Sequence, residues 1–486
     1  MKNKHLSNYW SISLLIVMVS CQPMGQIYEG AICISNIHTI DAENGLQKNQ
    51  TVIVKGEKIL KIVPSQELKL APENTIIDGQ GKFLIPGLWD AHVHFAYIEE
   101  LAPVMFNLFL GYGITSVRDT GGKIDFVKKW KSKAEADPTA APRVKIAGPL
   151  MDGEPNVYDG SIPTRPELSE GFATVEAAVK RVDELAALGV DLIKAYEMLS
   201  PEQFEAITQR ARELNLNVTG HIPLSMDAIS ASKGFNSIEH LRNLEMSMTA
   251  NPTKLLAQRR KLLEEGKNEA GGDLRARLHN AQRYAAIELI DATQRDKVIQ
   301  ALLENNTWQV PTLTLASGAK NKHFAKTVYQ RSFDYLPKKI SEQWKEGAAI
   351  AAEVMATPSR AAYADWVVEI SGVLHESKVE FMAGTDCPIY FLTPGLSLHT
   401  ELEMMNKAGM SPTEVLKAAT LNPARYFNME GELGLIKEGY IADLLILDAN
   451  PIENISNTQK INTVIKAGKS YDRATLDAML EKGSDY

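Results

Sequence analysis

Five short apolar runs in this chain each end on a residue able to hold a metal ion, and each is followed by a stretch with helical spacing. The runs are LWDAHVH at 88–94, LIKAY at 192–196, NVTGH at 217–221, SIEH at 237–240 and FMAGTD at 381–386. Apolar runs of this length, bounded by turn residues, read as buried strands. Further runs at 114–119, 144–148 and 309–313 bring the set to eight strands alternating with helical segments. Eight βα units predict an α/β fold of the (β/α)8 TIM barrel class, in which the C-terminal ends of all strands converge on one mouth. Such a fold gathers residues separated by about 300 positions into a single site.

His92 and His94 carry the most specific part of this pattern. At i, i+2 in a strand both imidazoles face one side. Two neutral nitrogens on one face are half of a metal site, although a histidine pair taken alone is equally consistent with packing inside a strand. Taken singly, each of the other polar strand ends reads as solvated loop chemistry. Their joint occurrence is what points to one site.

The stretches PGLWDAHVH (86–94), GYGITSVRDTGG (111–122), GVDLIKAYE (189–197), VTGHIP (218–223), SIEHL (237–241), AGTDCP (383–388) and the tail from SLHTELEMMNKAGMSPTEVLKAATLNPARYF to GLIKEGYIADLLILDANP resemble the amidohydrolase superfamily. The resemblance is strongest to its imidazolonepropionase-like and prolidase-like branch and extends over about residues 27–471. It implies that His92 and His94 bind a buried metal, that Lys194 is carboxylated and bridges two metals, that His221 and His240 hold the second, and that Asp386 is the catalytic carboxylate. The cofactors implied are two divalent ions, with zinc favoured by imidazole and carboxylate donors, and a carbamate on Lys194 derived from carbon dioxide.

Hydrolysis of an amide at neutral pH needs a nucleophile stronger than water, which a divalent metal supplies by lowering the pKa of water from ~16 toward ~7. Two metals can share that hydroxide. Asp386 would accept the proton as the carbonyl is attacked and return it to the leaving amine. Lys194, as an ammonium, has three donors and no acceptor and would repel cations. Buried lysines are readily neutralised, and a neutral amine can take up carbon dioxide to become an anionic oxygen ligand; the alternative is an unmodified Lys194 paired with a carboxylate such as Glu197. Tyr196 shares the face of Lys194 and would aim its hydroxyl at the developing oxyanion, with ring packing as the alternative. Arg118 ends the second strand, where its planar fork could pair with a substrate carboxylate or with neighbouring Asp119. His38, His279, His323 and His375 take surface or core roles, and His399 stands near the mouth.

Residues 1–21 read as a targeting segment: Lys2 and Lys4, an apolar core at 12–19 too short to span a bilayer, then Ser20-Cys21. This resembles a bacterial lipoprotein signal and implies export, cleavage before Cys21 and a lipid anchor facing the periplasm or cell exterior; an ordinary secretory signal is the alternative. Cys33 and Cys387 then remain, too few for a disulfide framework in 486 residues. A large core must carry stability instead, and 44% hydrophobic content suffices for a barrel over 86–430 plus one small domain. Residues 27–85 and 431–475 alternate apolar and polar between turns, predicting short antiparallel strands, and the resemblance implies that the two segments pair in one small composite β-sandwich. Residues 245–307 and 316–375 predict helical insertions, acting either as lids or as solvated hairpins.

A net charge of −8 without a basic block gives no reason to expect a nucleic-acid partner. The expected activity is cleavage of an amide or peptide bond in a small substrate, such as an Xaa-Pro-like dipeptide or an N-acyl amino acid. A mononuclear deaminase is disfavoured, because Ile222-Pro223-Leu224 stands where such relatives place a glutamate after the fifth-strand histidine. A hydrolase of cyclic amides, lactones or phosphoesters would use the same metals. A non-catalytic surface-binding lipoprotein would be expected to have lost ligands, and all six are present. The oligomeric state is left open.

Overall fold

The computed structural model describes Met1 and residues 25–485, so the expected targeting segment and Cys21 lie, apart from Met1, outside the described residues. Among the described residues no helix is long and apolar enough to cross a membrane.

Two kinds of burial pattern build two kinds of sheet. Strands of mixed burial come first: β1 (Ala31–Asp41), β2 (Gly45–Lys55), β3 (Lys58–Pro64), β4 (Thr75–Asp78) and β5 (Phe83–Pro86). The middle of the chain supplies β6 (Leu88–Val93), β7 (Ile114–Asp119), β8 (Arg143–Ile146), β9 (Leu150–Gly153), β10 (Ser169–Phe172), β11 (Leu192–Ala195), β12 (Asn217–Gly220), β13 (Ser237–Glu239) and β14 (Trp308–Val310). The tail adds β15 (Leu444–Leu447), β16 (Ile461–Lys466) and β17 (Lys469–Asp472).

Tail and N-terminal strands share one sheet in the order β17-β16-β15-β5-β1-β2-β3, with β4 beside β1. They join where β15 runs antiparallel to β5, Leu444 opposite Pro86 and Leu447 opposite Phe83. These strands are joined in one hydrogen-bonded sheet that is mixed rather than antiparallel throughout as expected. β1 runs parallel to β4 over Ile32–Ser35 and to β5 at His38–Thr39. Its bulge between Ile34 and Ile37, with Asn36 at φ 56°, carries it from one partner to the other.

The middle strands are all parallel, in a set β6-β7-β8 and a set β10-β9-β11-β12-β13-β14. β6, β7 and β11 are buried at every position, as expected where helices cover a parallel sheet. The covering helices start on local signals in the sequence. Pro201–Glu213, for example, is opened by a capping box between Ser200 and Gln203. Asp191 N donates to Ile146 O (2.8 Å), linking β8 to the entry of β11. Residues 380–387 form no regular strand but bond on both sides: Gln309 N to Glu380 O (2.9 Å) and Met382 N to Gln309 O (3.0 Å) toward β14, Ala91 N to Ala383 O (2.8 Å) and Asp386 N to His92 O (2.8 Å) toward β6. The expected insertions hold helices Pro252–Glu265, Gly271–Glu288 and Ala292–Glu304, then Lys338–Glu353 and Pro358–Glu376.

Candidate metal centre

His92, His94, Lys194, His221, His240 and Asp386 all line one cavity of about 190 Å³. Each is delivered by the end of a parallel strand or by the bridging segment at 381–387, and two glycines let those segments approach closely. A Cβ on Gly220, just before His221, would stand 1.9 Å from Ala195 O; on Gly384, two residues before Asp386, it would stand 2.8 Å from His92 Cβ. His240 (φ 59°), Thr312 (φ 46°) and Asp386 (φ 67°) occupy the left-handed region. Non-glycine residues persist there only where their surroundings hold them.

Three imidazoles converge on one carboxylate. His92 Nε2 and His94 Nε2 stand 3.2 and 3.1 Å from Asp386 Oδ1, and His240 Nε2 stands 3.5 Å from Oδ2. Donor atoms of His92, His240 and Asp386 lie within 4.8 Å of one another. The opposite ring nitrogens are all engaged: His92 Nδ1 with Glu239, His94 Nδ1 with Gly121 O (2.9 Å), His221 Nδ1 with Glu197 Oε1 (2.7 Å) and His240 Nδ1 with Thr312 Oγ1 (2.6 Å). Outward N–H donation from Nδ1 leaves the Nε2 lone pair for the cavity, which is how ligating histidines are oriented.

The electrostatics suit a cation. Burial pushes His221 down to about 3 and His240 well below the ordinary imidazole value, so both are neutral and able to ligate. Burial also lowers Lys194 to about 8, and its Nζ is enclosed with no hydrogen-bond partner among the described residues. Glu197 does not pair with it; that carboxylate goes to His221 and to His279 Nε2 (2.9 Å). Burial alone would raise Asp386, but facing His92 and His240 it is held well below the carboxylate range. Neutral imidazoles, an anionic carboxylate and an unpartnered amine fit divalent metals.

Arg118 corrects one expectation. It is 0% exposed, does not line the cavity and pairs with Glu239 (2.9 Å) rather than with Asp119. β7 is buried on both faces, so Arg118 points across the sheet interior, where Nη1 also donates to Ser237 Oγ (3.1 Å). The Asp119 carboxylate instead accepts from Phe95 N (2.8 Å) and Gly121 N (3.0 Å). Tyr196 does line the cavity, its ring 4.5 Å from that of His221 and its hydroxyl oxygen accepting from Arg275 Nη1 (3.0 Å). His399 is tied to Thr458 and Tyr112 O, away from the cavity. Sequence reasoning missed Glu239, which precedes His240, as well as Arg242, Arg275 and Tyr158 on the cavity wall and His279 behind it.

Residues 83–471 match the model of the amidohydrolase family. An imidazolonepropionase of Rubrobacter xylanophilus is 24% identical over 416 residues, covering 82% of this chain and 84% of that one. Among solved structures, an Xaa-Pro dipeptidase with methionine bound in its active site aligns with a TM-score of 0.63 at 19% identity, over 91% of this chain and 100% of that one. A bottromycin amidohydrolase aligns with a TM-score of 0.64 at 20% identity, over 94% and 91%. At this identity the two structures establish the shared fold.

Proposed function

The chain belongs to the amidohydrolase family, and from that premise we propose that it cleaves an amide or peptide bond in a small substrate such as an Xaa-Pro-like dipeptide or an N-acyl amino acid. His92, His94, His221, His240, Asp386 and a carbamate on Lys194 would hold two divalent ions, zinc by preference. The observation that carries this reading is the shared cavity, in which four histidines present Nε2 with Nδ1 engaged behind them, beside the enclosed amine of Lys194. Names of relatives support the bond class: an imidazolonepropionase, an Xaa-Pro dipeptidase and a bottromycin amidohydrolase.

Bound ions would lower the pKa of water and polarise the carbonyl. Asp386, ionised at neutral pH, accepts the proton of the attacking water and passes it to the leaving amine. Tyr196 has its phenol oxygen accepting from Arg275, which leaves its own O–H to donate to the oxyanion. The wall residues Leu150, Leu168, Leu315 and Ile389 give the cavity apolar sides, and its volume of about 190 Å³ suits a small substrate. In this reading the two parallel sheets and residues 381–387 form one closed (β/α)8 barrel, supported by the bonds from 381–387 to β14 and β6. Export and a lipid on Cys21 belong to it on the strength of the N-terminal succession alone.

The test is elemental mass spectrometry of the purified protein lacking residues 1–21, alongside hydrolysis assays over dipeptides and N-acyl amino acids. Two metals per chain with amide turnover are expected. One metal per chain would remove the Lys194 bridge, and neither metal nor turnover after reconstitution would overturn the reading.

A further inference from the structure

We propose that His279 is a positioning residue for the metal centre: acting through Glu197 it fixes the imidazole of His221, so that the inserted helix Gly271–Glu288 governs how firmly the ion on that histidine is kept. The inference rests on the metal-centre reading of the cavity and deepens it. It does not depend on which bond the centre cleaves.

The four histidines of the cavity are oriented from behind, but by different parts of the molecule. His94 Nδ1 is engaged by Gly121 O just beyond β7, His92 Nδ1 by Glu239 at the end of β13, and His240 Nδ1 by Thr312 just beyond β14. Those three partners belong to the parallel strands or to the residues that directly follow them. His221 Nδ1 instead donates to Glu197 Oε1 (2.7 Å), and the other oxygen of that carboxylate, Oε2, has His279 Nε2 of the insertion at 2.9 Å. Neither Glu197 Oε2 nor His279 Nε2 has another hydrogen-bond partner among the described residues.

The terminal torsion of a glutamate is broad and two-fold, so a bond at one oxygen leaves the carboxylate plane free to turn. A second contact on the opposite oxygen sets it, and with it the ring of His221. Arg275, four residues before His279 and therefore on the same helix face, stands 3.6 Å from Oε1 and donates to the Tyr196 hydroxyl (3.0 Å). Arg242 stands 3.5 Å from the same oxygen. The helix also meets the His221 segment on its apolar side: Leu274 and Leu278 pack on Leu224, whose N donates to Glu197 O (2.8 Å). His279 itself does not line the cavity, so its influence on a bound ion passes through Glu197 and His221. Partners behind a ligating imidazole tune metal affinity in this way.

The experiment follows the metal left on the zinc-loaded protein, by elemental mass spectrometry, during challenge with EDTA. His279→Leu fills a similar volume without a donor, whereas His279→Gln keeps a donor toward Glu197. The leucine variant should release one of its two ions about 10–100-fold faster than the wild type, the usual effect of losing an orienting partner, and the other at the wild-type rate. The glutamine variant should stay close to the wild type for both. Packing alone predicts the reverse order, with leucine tolerated and glutamine not. Glu197→Asp, one methylene too short to span His221 and His279, should speed the same ion and supplies the test if the leucine variant does not fold. Release at the wild-type rate from both His279→Leu and Glu197→Asp overturns the inference, and so does equal acceleration of both ions in every variant, as a loosened fold would give. If the protein holds a single ion, unchanged release of that ion from these variants overturns it too. A wild type that holds no metal defeats the metal-centre reading before any variant is compared, and this inference with it. A wild type that holds metal but cleaves nothing in the panel defeats only the amide-hydrolase reading, since the readout here is the metal.

Discussion

Glu239 serves three partners at once: the carboxylate, buried among β13 neighbours, accepts from His92 Nδ1, Thr219 Oγ1 and Arg118 Nη2 (2.9 Å). Burial would raise its pKa, but Arg118, Lys194 and His92 hold it well below the ordinary range. It is therefore ionised, and its charge both orients His92 and balances Arg118. Glu239→Gln should weaken metal retention by about 10–100-fold, the usual effect of losing an orienting partner behind a ligand, measured by competition with a chelator. Unchanged retention would reduce Glu239 to the counter-ion of Arg118. That His92, His94, Lys194, His221, His240 and Asp386 would meet was legible because each stands at the end of an apolar run. Glu239 was not, because the partners that define it lie 147 and 121 positions away. Arg118 was misjudged for the same reason: from sequence, the nearest acid is Asp119, but from the fold it is Glu239.

At the level of elements, the helix Gly271–Glu288 decides how the site is covered. Leu274, Leu278, His279, Gln282, Arg283 and Ala286 are among its buried positions, recurring at three- and four-residue steps as one helix face does. Leu274 and Leu278 pack on Leu224, just beyond His221, while Arg275 and His279 reach Glu197. Its charged residues made the helix read equally as a lid or a solvated hairpin, since nothing local shows that a histidine and arginines will be buried against distant carboxylates. Leu278→Ala should cost about 2–5 kcal/mol of local packing. Because few strands depend on this helix, the loss should appear as faster amide exchange over residues 252–288 and a raised KM, with β6 and β7 still protected. Uniformly faster exchange would show instead that the insertion is part of the central core. The eighth strand failed differently: 381–386 has the composition of a strand, yet Asp386 at φ 67° turns it away from regular pairing.

Across the whole molecule, one carboxylate fastens the terminal sheet to the parallel strands. Asp443, just before β15, accepts from Lys466 Nζ at the end of β16 (3.0 Å), from Ala467 N (2.8 Å) and from Arg143 Nη1 at the start of β8 (3.0 Å), a residue 300 positions away. Its backbone oxygen accepts from Gly87 N (2.7 Å), between β5 and β6. The alternating patterns marked both ends as strands and the family resemblance implied that they meet; this pin was not readable, since an aspartate in a loop carries no mark of its burial. Lys466 is only 1% exposed, so Asp443→Ala leaves a buried ammonium without its anion. The variant should lose about 3–5 kcal/mol in urea unfolding at pH 7, whereas Asp443→Ala combined with Lys466→Met should recover most of it, because the uncompensated charge goes too. Burial opposes ionisation of Asp443, but Lys466 and Arg143 outweigh it and hold the carboxyl below its ordinary value. A carboxyl lowered in the folded state contributes stability above its unfolded pKa of about 3.9 and loses it as pH falls through the folded value. The deficit of Asp443→Ala should accordingly be full at neutral pH and shrink below about pH 4. A deficit that stayed constant down to that range would mean that Asp443 acts through its backbone and loop geometry rather than its charge.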